Sequence, residues 1–251
     1  MRKRIVITCW GSHGDLFPYL GLAVALKRHG HSPVVATSVG YRPEIEREGI
    51  EFAEAGPPID TSAPNAPELY ERVMDPRKGS EVIVSELLMP KLRETYEQLR
   101  AAVERADLVV THPITYAGRI AAEQARLPWL STVLAPLSFF SARDAAVLPT
   151  APRLNDVPVV GPWLAHTIFK LARPTLRRWV VPVEGVRAQL GLPPAGHPMI
   201  EGQFSPHGTL ALFSRVLAEP QADWPPNVTV TGTVFYNAPE PAEEELEGFL
   251  A

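Results

Sequence analysis

Two titratable side chains, His13 and Asp15, stand two residues apart in the stretch Gly11-Ser12-His13-Gly14-Asp15. An imidazole or a carboxylate within hydrogen-bond reach of a hydroxyl can accept its proton as the oxygen forms a new bond. The two glycines, Gly11 and Gly14, let the backbone turn tightly and let a ligand approach it closely, with Ser12 between them as a polar contact. A third candidate, His112, lies far along the chain in Thr111-His112-Pro113. Each has a plainer reading as well. Asp15, three residues before Pro18, suits a helix cap, and His112 suits the end of a strand.

The elements around these residues alternate in type. Arg4 to Cys9 is a nearly continuous β-branched run, as in a strand buried on both faces. A glycine-containing loop follows, then Pro18 as a first-turn residue of a helix whose apolar positions, Leu20, Ala23, Val24 and Leu26, fall largely on one face before Gly30. Pro33–Thr37 reads as a second strand, Arg42–Glu48 as a short helix and Ile50–Ala53 as a third strand. After a loop from Gly56 to Pro67, a long helix is expected from Ser80 to Arg105, disturbed at Pro90. Asp107–Thr111 and Trp129–Val133 are the next strands, with a helix at Tyr116–Ala125 between them. This alternation predicts an α/β fold, a Rossmann-like doubly wound parallel sheet. In such a sheet ligands bind beyond the carboxyl ends of the strands, which is where Gly11–Asp15 and His112 fall.

Ala135–Pro162 is a long, proline-rich loop holding Phe139 and Phe140, and loops of that length are commonly functional. Helices are expected at Trp163–Val181 and Val183–Leu190, and strands at Thr209–Phe213 and Val228–Val230. Phe139, Phe140, Trp163, Phe169 and Trp179 could line an apolar pocket or simply fill the core. The acidic run Glu243-Glu244-Glu245 is a solvated helix face.

Composition removes several function classes. The 251 residues are 45% hydrophobic and 21% charged, an ordinary globular balance. A net charge of −4 and a pI near 6.0 provide no basic face for nucleic acid. A single cysteine, Cys9, assembles neither a disulfide framework nor a cysteine metal cluster, so no metal is expected and a reducing, cytoplasmic compartment is. No run approaches the ~20 apolar residues of a transmembrane segment, which leaves peripheral membrane contact open. A nicotinamide cofactor fits poorly: Gly11 and Gly14 are followed by Phe17-Pro18 rather than a third glycine, and the second strand ends in Ala36-Thr37-Ser38 without an acidic ribose ligand.

The stretch Ile5-Val6-Ile7-Thr8-Cys9-Trp10-Gly11-Ser12-His13-Gly14-Asp15-Leu16-Phe17-Pro18-Tyr19-Leu20-Gly21-Leu22-Ala23, continued by Leu26-Lys27-Arg28-His29-Gly30-His31, resembles the N-terminus of the UDP-glycosyltransferase family of GT-B enzymes. That family includes macrolide, glycopeptide and sterol glycosyltransferases. Ala106-Asp107-Leu108-Val109-Val110-Thr111-His112-Pro113, with Ala121-Ala122-Glu123 and Leu127-Pro128-Trp129, is a second similar segment. Val230-Thr231-Gly232-Thr233-Val234-Phe235-Tyr236 is a third, similar to the crossing between the family's two domains.

The resemblance implies one half of a GT-B architecture, with residues 1–235 as an acceptor-binding domain and 236–251 as a linker opening a donor-binding domain. It implies an inverting transfer of sugar from a nucleotide sugar, UDP-glucose first, to a hydroxyl of a small apolar acceptor. Many members carry a histidine base where this chain has Asp15, while glycopeptide-type and sterol-type members carry aspartate. In histidine members an aspartate from the fourth-strand end orients the base, and this chain has His112 there, so the pair's residue types are exchanged. His13 is the rival partner or base. Gly11, Ser12, Gly14, Phe139, Phe140 and Trp163 are the candidate acceptor contacts. The donor-binding motifs belong to the second domain, so this half is expected to bind no cofactor and to transfer little or nothing without a donor-binding C-terminal domain in cis or in trans. A stand-alone binding or partner module is the alternative expectation.

Overall fold

The computed structural model describes residues 1–59, 63–64, 66–143 and 160–237. In chain order its elements are β1 (Arg4–Thr8), α1 (His13–Arg28), β2 (Ser32–Thr37), α2 (Arg42–Arg47), β3 (Glu51–Glu54), α3 (Ala66–Val73), α4 (Gly79–Glu81), α5 (Leu92–Val103), β4 (Leu108–Thr111), α6 (Tyr116–Gln124), β5 (Trp129–Val133), α7 (Val160–Trp179), α8 (Val181–Gln189), β6 (Thr209–Ala211) and β7 (Val228–Val230). The strands form one seven-stranded sheet in the order β3-β2-β1-β4-β5-β6-β7, and every pairing is parallel. The doubly wound α/β architecture expected from the alternation is the one observed.

The continuous apolar strands follow from this arrangement, because successive side chains point to opposite faces and helices cover both. Val6, Val34 and Val109, paired across β1, β2 and β4, face α5 and α6 through Leu99 and Ile120. Ile5, Ile7, Val35 and Val110 face the other way, onto Leu16, Tyr19, Leu20 and Ala23 of α1 and Ile45 of α2. The sheet grows outward from β1 through β2 to β3, then restarts on the other side of β1 with β4. The carboxyl ends of β1 and β4 thus flank the point where strand order reverses, the crevice that binds ligands in open parallel sheets.

Several boundaries differ from expectation. Helix α1 begins at His13, so Pro18 lies inside it and cannot donate to the Gly14 carbonyl. The helix expected from Ser80 is instead α4, a π-helical stretch Val82–Leu88, a 3₁₀ turn Met89–Lys91 containing Pro90, and α5. Proline has no N–H to continue the ladder, and the path re-registers before α5. Helix α3 has no counterpart among the expected elements, and none of its residues is buried. Tyr236, placed by sequence in the linker, is docked: its ring lies 5.4 Å from that of Phe17 and its hydroxyl donates to Glu48 Oε1 at 2.8 Å. The acidic run 243–245, with the rest of 238–251, and the centre of the proline-rich loop, 144–159, lie outside the described residues. Among the described residues no helix is long and apolar enough to cross a membrane.

Candidate functional site

Ser12 occupies the N-cap of α1, where its hydroxyl accepts from the Gly14 amide at 3.2 Å. Asp15, three residues on, reaches back: its Oδ2 accepts from the Ser12 amide at 2.9 Å and from the Ser12 hydroxyl at 3.2 Å. This is a capping box with aspartate in the place more often held by glutamate or glutamine. Gly11 makes room for it. Its φ is +140°, and a Cβ there would stand 2.1 Å from Asp15 Oδ2. The carboxylate therefore fills the space that any side chain at position 11 would need.

The other carboxylate oxygen faces the second loop. Asp15 Oδ1 lies 3.5 Å from Nε2 of His112, at the outer limit of a hydrogen bond. Capping and pairing are thus divided between the two oxygens of one side chain. His112 follows β4 directly and is 8% exposed at its side chain, whereas Asp15 is 34% exposed, so Asp15 is the member of the pair that meets solvent. The imidazole packs edge-on to the buried ring of Tyr19, four residues after Asp15 on α1, at 5.6 Å. Its Nδ1 accepts from the Ile114 amide at 3.4 Å. The neutral ring therefore carries its proton on Nε2, aimed at Asp15, and keeps no free lone pair for a ligand's proton.

Burial pushes the Asp15 carboxyl up, but the His112 ring and the amide and hydroxyl of Ser12 together outweigh it and hold the carboxyl below the usual carboxylate range. The positive end of α1 acts in the same direction. Asp15 is ionised throughout the neutral range and serves as an acceptor only.

His13 points elsewhere. Its Nε2 lies 3.6 Å from Glu44 Oε1 on α2, and its ring sits 5.1 Å from both Phe17 and Tyr41, with the side chain 57% exposed. The Tyr41 hydroxyl donates to the Gly11 carbonyl at 2.9 Å and braces the loop from that side. Of the two histidines offered as partners for Asp15, His112 is the one the fold brings to it.

The aromatic candidates separate. Phe139 is packed core: it is buried, stacked on Trp224 at 4.1 Å and beside Phe204 at 5.7 Å. Phe140 is half-buried with its ring edge-on to Phe169 at 5.8 Å. Trp163 is exposed on α7, and Trp179 packs against the core. Sequence reading passed over an apolar cavity of about 30 Å³ beside the loops, walled by Trp10, Leu88, Met89 and Ile114 among others. It also gave Ser12 only as an acceptor contact. The Ser-x-x-acid spacing of a capping box was the available signal for its grip on Asp15. Among the described residues no group of three His, Cys, Asp or Glu side chains could hold a metal ion.

Comparison with known proteins adds the family context. The family model described as the glycosyltransferase family 28 N-terminal domain matches residues 5–138, more than half of the chain. O-mycaminosyltylonolide 6-deoxyallosyltransferase of Streptomyces fradiae is 30% identical over 258 residues, covering 99% of this chain and 58% of the relative. Sterol 3-beta-glucosyltransferase of Leptosphaeria maculans is 27% identical over 240 residues, covering 92% of this chain and 15% of the relative. Among solved structures, spinosyn forosaminyltransferase SpnP superposes with a TM-score of 0.58 at 15% identity, covering 98% of this chain and 55% of that one. The chain spans little more than half of the first relative and a smaller share of the second. Its architecture is that of the N-terminal half of a GT-B glycosyltransferase.

Proposed function

We propose that this chain, which belongs to the glycosyltransferase family 28 N-terminal domains, binds the acceptor in an inverting sugar transfer, with Asp15 as the group that takes the acceptor's proton. The observation that carries this reading is the placement of Asp15 at the strand-order reversal, partly exposed and backed by buried His112. In the step so proposed, the acceptor hydroxyl gives its proton to the carboxylate as its oxygen bonds to the anomeric carbon, and the bond from that carbon to the nucleotide diphosphate breaks. Asp15 is weakly basic in the ground state. It accepts the proton as the oxonium develops in the transition state, where the hydroxyl's acidity rises sharply. His112 orients the carboxylate through its Nε2–H.

The donor in this reading is a nucleotide sugar such as UDP-glucose, held by a donor-binding domain in cis or in trans. The leaving diphosphate needs helix N-termini or cations, and in this half the first turn of α1 is already occupied by Asp15. The relatives' names, one acting on a macrolide and one on a sterol, support a small apolar acceptor and a natural-product role. The experiment combines the purified chain with a separately produced donor-binding domain, UDP-glucose and a panel of macrolide and sterol acceptors, with products read by mass spectrometry. Glycoside forms only when both polypeptides are present. Steady glycoside formation by this chain alone, or failure of every panel acceptor to bind it by calorimetry, would count against the assignment.

A further inference from the structure

The turn that carries His112 is held by two hydroxyl side chains. Thr115 donates both its amide, at 3.0 Å, and its hydroxyl, at 2.8 Å, to the His112 carbonyl. The same hydroxyl lies 2.7 Å from Thr8 Oγ1, with either oxygen able to donate, and Thr8 Oγ1 also stands 3.4 Å from the Val110 carbonyl. Thr8 is buried at the end of β1, and its own carbonyl accepts the His112 amide at 3.0 Å. His112 is thus gripped at its N–H by Thr8 and at its C=O by Thr115, which Thr8 in turn anchors. Gly118 leaves room for this: a Cβ there would stand 2.7 Å from Thr8 Oγ1.

The ordinary role for a threonine here is capping, since Thr115 is the N-cap residue of α6. It makes no side-chain cap hydrogen bond to that helix. A residue type favoured at N-caps because its oxygen accepts from the first turn here turns its hydroxyl backwards onto His112.

We propose that Thr115 is a positioning residue, anchored by Thr8, that fixes the backbone of His112 and through it the contact between His112 and Asp15. This rests on the reading of that pair given above. The contact is at the limit of a hydrogen bond, so a displacement of a few tenths of an ångström in the turn breaks it. The other titratable groups that feel the Asp15 charge, Tyr19, Tyr41 and Cys9, are pushed up by burial and stay neutral through an acid titration.

The test compares Thr115→Val, which keeps the shape and removes the hydroxyl, with Thr115→Ser, which keeps the hydroxyl. The readouts in the full chain are the Asp15 carboxyl ¹³C titration and the His112 ring ¹⁵N shifts. In Thr115→Val the Asp15 midpoint rises by about half a pH unit or more, roughly a threefold gain in proton affinity, and the ring nitrogens report a mixture of tautomers. Thr115→Ser behaves as the parent chain. Should Thr115→Val fail to fold, Thr8→Val serves: it removes the anchor, keeps the bond from Thr115 to His112, and gives a smaller shift in the same direction. A folded variant, Thr115→Val or its substitute, with the parent's Asp15 midpoint and His112 tautomer overturns the proposal. None of these readouts uses sugar transfer, so they stand or fall separately from the proposed reaction.

Discussion

Asp15→Asn lowers sugar transfer by about 10²- to 10⁴-fold when the chain is assayed with a donor-binding domain, the usual loss when a general base is removed. Asparagine keeps the shape and one side-chain oxygen, so the capping box survives in part and the cost to folding is about 1 kcal/mol or less. Acceptor affinity is little changed, because the residue acts on a proton and not on the acceptor's apolar body. Stability against pH separates the roles further. The Asp15 carboxyl is held below its unfolded value, so its contribution to stability is present above that value and is lost as pH falls through the folded one. The parent chain is therefore the more stable at neutral pH, and the two converge in acid. Equal transfer by parent and variant across neutral pH would remove Asp15 from the chemistry and leave it a cap.

Gly11→Ala is the second large effect, and it acts without touching a titratable group. Alanine at φ +140° is strained, and its Cβ falls 2.1 Å from Asp15 Oδ2. Either the backbone moves or the carboxylate leaves the Ser12 amide. The strain alone is of the order of 1–3 kcal/mol, measurable by urea unfolding, and displacement of the carboxylate reduces transfer at least tenfold, by analogy with other small misplacements of catalytic groups. Gly14→Ala is the control. Gly14 lies in the first turn of α1 with ordinary helical room, the nearest atom to an added Cβ being Ser12 Oγ at 3.4 Å. That variant unfolds in urea like the parent. If Gly11→Ala does the same, the close fit between position 11 and the carboxylate is not what holds Asp15.

The layout of the sheet was legible because both faces of each central strand are buried. Ile5-Val6-Ile7 and Leu108-Val109-Val110 read as strands without needing alternation, and Trp129–Val133 and Val228–Val230 fell where expected. Helix α3, whose side chains are all at least partly exposed, was not expected. Phe139 shows the limit for single residues. Aromatic character alone does not distinguish a pocket wall from a core filler, and only the neighbours Trp224, Phe204 and Phe213, far along the chain, decide it. Asp15 and His112 could be named from type and position. Their proximity depends on β4 returning beside β1 after β2 and β3 have been laid down, a long-range fact that local pattern does not contain. The two readings of Asp15, cap and base, looked exclusive in sequence. One carboxylate has room for both, because its two oxygens point at different partners.

The central claim is that an acceptor's hydroxyl meets the exposed side of the Asp15 carboxylate. The most direct measurement is the ¹³C signal of that carboxyl in the labelled chain, followed through an acid titration with and without a saturating acceptor. In the unliganded chain the midpoint lies below that of a free aspartate, and the signal is displaced once acceptor is added, while the remote, salt-bridged Asp107 carboxyl stays unmoved. A bound acceptor that leaves the Asp15 signal and its midpoint where they were would contradict the central claim.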